Sequence, residues 1–281
     1  MQQNNSELIK KFINELNIEG YSQKTIETYS MYLRLFEEFI KKDLKEVTSD
    51  DILNYLSYIK TEKKASSATI NLILSIFKHF YNSFLKSDLD INIKLPKIPK
   101  KIPIVLTSKE ISQLLDAVDN ERDRLIIEFI YSTGVRVSEC INMKIKNINF
   151  DEFTGNVISG KGNKDRIIII SKKWAEDYKR YLEKRNKRID SEYLFTNNIG
   201  GKLSPDTIQK FLKGYAKKAN LNKNVTPHTL RHSFATSLLE HEVNIRYIQQ
   251  LLGHANLNTT QIYTKVNTDQ LKKIENPLDK L

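Results

Sequence analysis

INFDEFTGNVISGKGNKDRIIII, residues 148–170, is where the chain changes period. Short apolar runs separated by the turn-rich stretches DEFTG and GKGNKD read as a three-stranded antiparallel meander. On either side the spacing is helical. Upstream, Thr107 and Glu110 form a capping box ahead of Ile111, Leu114, Leu115 and Val118, and a second helix through Leu125, Ile126, Phe129 and Ile130 stops at Gly134. Downstream, Ser171 caps a helix carrying Trp174, Tyr178 and Leu182, and Ser204-Pro205 opens another with Ile208, Phe211 and Leu212, proline being favoured in a first turn. Three shorter helices are predicted at 227–241, 245–252 and 259–265. The second half is therefore a small antiparallel sheet set among helices.

Residues 1–95 carry no such break. Their apolar residues recur every three or four positions in four segments, which predicts four amphipathic helices opened by Ser6, Ser22, Thr48 and Ser66 or Ser67. LPKIPKKIP, residues 95–103, then holds three of the six prolines. Proline removes an amide donor and stiffens an extended chain, so this stretch reads as a connector. The expected division is a helical domain over 1–95, a proline/lysine linker over 96–106 and a mixed domain over 107–281. The fold class is mainly α with a small antiparallel β-sheet.

The chain has 281 residues, 40% hydrophobic and 28% charged, the composition of a folded globular protein rather than a disordered or fibrous one. A single cysteine, Cys140, excludes an internal disulfide, and the opening MQQNNSELIKKF has no secretory pattern, so the cytoplasm is expected. The net charge of +11 is unevenly placed: residues 1–95 hold 13 basic and 13 acidic side chains, which leaves the whole excess to 96–281. A basic half predicts a polyanionic partner.

Four segments carry groups able to act on such a partner. In TPHTLRH, residues 226–232, a capping threonine and a first-turn proline fix a helix start, with His228 and Arg231 three apart near its amide-rich end. In LLGHANLNTTQIY, residues 251–263, Gly253 ends a helix, His254 stands at its exit and Tyr263 lies about one turn into the next. STGVRVSE, residues 132–139, places Arg136 just after a glycine stop and three residues before Glu139. GKGNKD, residues 160–165, is a hairpin turn bearing Lys161 and Lys164, whose glycines allow close approach of a ligand. Each has a plainer reading taken alone: a capped surface helix, a core tyrosine, a surface ion pair, a solvated turn.

In this order, the arginine of TGVRVSE, the lysine of GKGNKDR, PHTLRH and LGHANLNTTQIY resemble the tyrosine recombinases, and within them the Xer type. The likeness spans about residues 5–275, and no additional arm-binding region is expected ahead of the helical half. The resemblance implies a helical DNA-clamping core-binding domain and an α+β catalytic domain. It implies six catalytic residues: Arg136, Lys161, His228, Arg231, His254 and Tyr263. It further implies a homo-tetramer on two double-stranded DNA sites with inverted half-sites, and resolution of chromosome dimers, either alone or with a second recombinase and a DNA translocase.

The chemistry asks for these residue types. A phosphodiester in transfer must have its non-bridging oxygens neutralised. Arg136 and Arg231 supply bidentate, permanently charged forks, and His254 adds a hydrogen bond. Tyr263 is the expected nucleophile and needs help, since a phenol ionises near pH 10, some 4 kcal/mol uphill at pH 7. His228 is the expected base, and Lys161, with Lys164 as the alternative, is expected to protonate the departing deoxyribose oxygen. One ester replaces another through a 3′-phosphotyrosyl intermediate, so neither metal nor nucleotide cofactor is expected. Glu139 and His232 are expected to orient Arg136 and the phosphate ligands. Lys24, Arg34, Lys63, Lys64, Lys100, Lys101, Lys164 and Arg166 are expected DNA contacts.

Other readings fit parts of the same sequence. GNVISGK, residues 155–161, matches a phosphate-binding loop pattern, but Gly162 stands where a magnesium-binding hydroxyl belongs, between expected strands. His228 and His232 have the spacing of two zinc ligands without a complete set. A mobile-element integrase or transposase shares the same boxes, and a DNA-binding module without chemistry would share the charge.

Overall fold

Serine and threonine side chains decide where most of the helices begin, because an N-cap oxygen takes one of the amide protons that a helix start leaves unpaired. The computed structural model describes residues 2–89, 91, 93, 102–158 and 165–253. The chain divides into two units, Met1–Lys100 and Lys101–Leu281.

The first unit holds α1 (Gln2–Glu19), α2 (Gln23–Ile40), α3 (Ser49–Thr61) and α4 (Ser67–Phe77), the last continued by a π-helical segment over Lys78–Phe84. Ser22, Thr48 and Ser66 cap α2, α3 and α4, and Thr48 shares a capping box with Asp51. The apolar stripes meet in an aromatic core. Phe36 packs on Phe77 with ring centroids 4.5 Å apart, and Phe12 meets Phe80 edge-on at 5.1 Å.

Ser6 does not open α1, which starts at Gln2 and carries Ser6 in its interior. The extra turn is held from outside the helix. Asn5, buried, receives the Leu44 amide at 3.0 Å and donates to the Lys42 carbonyl at 3.1 Å, while Asn4 donates to Asp43 at 2.8 Å. Partners some forty residues away thus override the local cap.

The second unit begins with α5 (Ser108–Asp116), α6 (Glu121–Thr133) and α7 (Val137–Asn142), with Thr107 and Glu110 in their capping box. Strands β1 (Ile148–Asn149), β2 (Thr154–Val157) and β3 (Arg166–Ile169) follow in the order β1-β2-β3, antiparallel throughout, with Gly155 opposite both Ile148 and Ile168 and Val157 opposite Arg166. Then come α8 (Lys172–Asn186), α9 (Pro205–Lys218), α10 (Pro227–Glu240) and α11 (Ile245–Leu252). The architecture is mainly helical with one small sheet, as the period change at residue 148 predicts.

Helix α6 is central and packs against α8 and α10. Trp174 of α8 buries its indole beside Phe129, with centroids 4.9 Å apart, and donates Nε1–H to the Leu125 carbonyl at 2.9 Å. A buried indole that keeps its one donor satisfied costs nothing in lost hydration. The lysine hairpin, residues 159–164, and the helix expected at 259–265 lie outside the described residues, as does most of the expected connector.

Candidate active site

The site is built on a glycine that no other residue can replace without movement. Gly134 ends α6 in the left-handed region, with φ +64°, and its amide caps the Ile130 carbonyl. A Cβ there would lie 2.4 Å from Phe234 Cδ1 and 2.9 Å from Leu252 Cδ2. The turn delivers Arg136 to the start of α7. Glu139, in the first turn of α7, closes back on it. Its carboxylate receives the Arg136 amide at 2.7 Å and the guanidinium Nη1 at 2.8 Å.

Helix α10 begins as predicted, with Thr226 as cap and Pro227 as its first residue. Arg231 lies one turn in and is 3% exposed. Its Nη1 donates to the Gly134 carbonyl and its Nη2 to the Leu252 carbonyl, the latter at 2.6 Å.

Helix α11 ends at Gly253, also left-handed, with φ +63°. The last carbonyls of a helix lack intrahelical partners and form the negative end of its dipole, so they attract cations. Here three consecutive carbonyls take three different arginines. Leu251 accepts from Arg166 Nε at 2.7 Å, Leu252 from Arg231, and Gly253 from Arg136 Nη2 at 3.4 Å. The two predicted clamp arginines, 95 positions apart in sequence, therefore stand side by side at the exit of one helix.

Arg166 departs from expectation. Predicted as a DNA contact, it turns inward from the first position of β3 and forks on Glu139, Nη1 to Oε1 at 2.9 Å and Nη2 to Oε2 at 2.7 Å. Its side chain is 7% exposed. The carboxylate of Glu139 is thus gripped by two guanidiniums, not the one the sequence pairs with it. Burial alone would raise the Glu139 pKa, but the Arg166 fork, the Arg136 amide and the two positive charges hold it at about 2.

His228 is exposed in the first turn of α10, and His232 lies half-buried one turn further, ring centroids 6.4 Å apart. Burial, with the adjacent His228 and Arg231, lowers His232 to a pKa of about 4. It is neutral at working pH and can accept as well as donate a hydrogen bond. Lys24, Arg34, Lys63 and Lys64 are exposed on the first unit, Lys63 reaching over the Tyr58 ring. Lys100, Lys101, Lys161, Lys164, His254 and Tyr263 lie outside the described residues.

These shifts predict the acid behaviour of the fold. Both groups have folded-state pKa values below their unfolded ones, so each contribution to stability is complete above the unfolded pKa and is lost as pH falls to the folded value. The windows are 6.5 to about 4 for His232 and 4.5 to about 2 for Glu139. Melting temperature should fall across both as pH drops, and His232→Gln should flatten only the upper window. Equal slopes in parent and variant between pH 6.5 and 4 would show that His232 titrates as in the unfolded chain.

The phosphate-binding-loop pattern has the wrong surroundings, since its residues Gly155–Val157 lie in β2 and the hairpin is followed by β3 rather than by a helix. Among the described residues, no three His, Cys, Asp or Glu side chains gather as a metal site, and no helix is long and apolar enough to cross a membrane.

Comparison with known proteins identifies the family. The model of the phage integrase family matches residues 105–270, and that of the phage integrase N-terminal SAM-like domain matches 8–91. The chain is 43% identical over 274 residues to tyrosine recombinase XerA of Pyrococcus horikoshii, covering 96% of this chain and 92% of that protein. A crystal structure of XerA recombinase aligns with a TM-score of 0.57 at 35% identity, over 95% of this chain and 96% of that one. The post-cleavage complex of XerH site-specific recombinase with palindromic difH substrate aligns with a TM-score of 0.74 at 27% identity, over 88% and 78%.

Proposed function

The chain belongs to the phage integrase family, and within it to the Xer-type tyrosine recombinases, and on that premise we propose how its residues divide the work of cutting and rejoining DNA. The protein is a site-specific recombinase, a DNA strand-transferase. Arg136 and Arg231 grip the non-bridging oxygens of the scissile phosphate, with His254 adding a third donor. Tyr263 attacks phosphorus, its proton passing to His228. The bond from phosphorus to the 5′ oxygen breaks, and Lys161 gives that oxygen a proton. The result is a 3′-phosphotyrosyl link and a free 5′-hydroxyl, and attack by the 5′-hydroxyl of a second strand reverses each transfer. No bond energy is lost to water, so rejoining needs no external energy source.

The observation that supports this assignment is the set of three carbonyls at the end of α11, where both clamp guanidiniums meet immediately before His254 in the chain. Glu139 fits the role of orienting Arg136, through both its amide and its guanidinium. The likeness to Xer proteins supports action in the cytoplasm, as a tetramer on paired inverted half-sites, in the resolution of chromosome dimers.

A suicide duplex tests the chemistry. It is built on the inverted half-sites that the protein protects in genomic DNA and nicked next to the scissile position, so that the short fragment diffuses away. The parent protein should leave a covalent adduct stable to denaturation, and Tyr263→Phe should bind the duplex and leave none. Binding without adduct by the parent would identify a DNA-binding module, and an adduct surviving in Tyr263→Phe would identify another nucleophile.

A further inference from the structure

We propose that Arg166 is a positioning residue for strand cleavage, acting through Glu139 on Arg136 rather than on DNA. The inference rests on the reading above, in which Arg136 grips the scissile phosphate.

Among the described residues, Arg166 makes three directed contacts, and all of them end within the active-site frame. Two are the forked bonds to Glu139, and the third runs from Nε to the Leu251 carbonyl at the end of α11. A planar fork fixes a carboxylate in orientation as well as in place. With both Glu139 oxygens held from one side by Arg166, the same oxygens meet the Arg136 amide and Nη1 from the other. Arg136 is thereby tied at its backbone and at its guanidinium to a carboxylate that cannot swing.

The packing around this strut is close. Gly253 approaches the Arg166 side chain so nearly that a Cβ on Gly253 would sit 2.9 Å from Cδ and 3.0 Å from Nη1. Arg166, Glu139 and the exit of α11 thus form one unit drawn from three separate parts of the chain. The depressed Glu139 pKa keeps its carboxylate charged at any working pH.

The obvious alternative is that Arg166 reaches DNA, or that it acts on the lysine hairpin it adjoins. Three readouts separate these. For Arg166→Lys on the suicide duplex at saturating protein, cleavage should slow by roughly 10- to 100-fold, by analogy with the loss when the outer partner that orients a metal ligand is removed. DNA affinity should stay within about 3-fold of the parent, since no phosphate contact is lost. On a duplex whose 5′ bridging oxygen is replaced by sulfur, which departs without a proton donor, the slowing should be the same. The effect of Arg166→Lys should also be absorbed in a Glu139→Gln background, because both act through one strut.

Affinity lost in proportion, with saturated cleavage unchanged, would assign Arg166 to DNA. Rescue by sulfur would assign it to proton donation by the hairpin, multiplied defects in the double variant would break the link to Glu139, and loss of folding in Arg166→Lys would make it a residue of the fold alone. Each of these overturns the proposal. Absence of adduct with the parent protein would instead defeat the reading of the preceding subsection, and this inference with it.

Discussion

Arg231→Lys should lower strand cleavage by about 10²- to 10³-fold while leaving DNA affinity within a few-fold of the parent. That is the loss expected when one preorganised donor is removed from a developing phosphoryl charge, about 3–4 kcal/mol. Charge is kept in this variant, so the loss measures geometry. A lysine offers one point of charge on a flexible stem, whereas Arg231 spans the Gly134 and Leu252 carbonyls with separate nitrogens. The shorter lysine side chain must serve both carbonyls from one nitrogen, and a buried carbonyl it leaves without a donor costs roughly 1–3 kcal/mol of stability. Single-turnover cleavage of the suicide duplex, with thermal melting alongside, separates the two effects. Cleavage within 3-fold of the parent would remove Arg231 from the phosphate clamp.

Gly134→Ala should be the most destabilising single-methyl substitution in the second unit. The left-handed backbone costs an L-residue about 1–2 kcal/mol, and the added methyl cannot fit as the chain stands, being 2.4 Å from Phe234 and 2.9 Å from Leu252. Overpacking of this kind costs a further 1–3 kcal/mol or so. At some 2–4 °C per kcal/mol for a domain of this size, the melting temperature should fall by roughly 5–15 °C. The position matters beyond stability. The Gly134 carbonyl receives Arg231, and Leu252, which the methyl would push, supplies the other acceptor. Cleavage by the protein still folded should therefore fall as well. A melting temperature within 2 °C of the parent would mean that α6 and α11 part easily, and that the arginine cluster is not rigid.

Much of the frame is legible in the sequence because it is set locally. Ser22, Thr48, Thr107, Ser171, Ser204 and Thr226 cap the helices they precede, and Gly134 and Gly253 end theirs in the left-handed region, since each signal involves atoms within a few residues. Ser6 fails for the complementary reason: Asn4 and Asn5 find partners near residue 43, which no local pattern encodes.

Arg166 is the instructive case. A strand reveals its buried face by alternation, but RIIII gives four isoleucines in a row, so the period of two is invisible. The structure buries Ile168 and Ile170 and leaves Ile167 and Ile169 more than 60% exposed, which places Arg166 on the inward side with the first pair. One polar residue in that run would have shown which way Arg166 points. The convergence of Arg136 and Arg231 is likewise absent from spacing alone. It depends on α6, α10 and α11 meeting at Gly134, and the sequence marks only the ends of those helices.

The most direct test of the account is the identity of the bond that joins protein to DNA. The adduct formed on the suicide duplex can be digested with protease and nuclease, and the peptide retaining a nucleotide sequenced by mass spectrometry. The account predicts one linked peptide, with the mass of a nucleotide 3′-phosphate on Tyr263. Attachment through a 5′-phosphate, or to any other side chain, would contradict it.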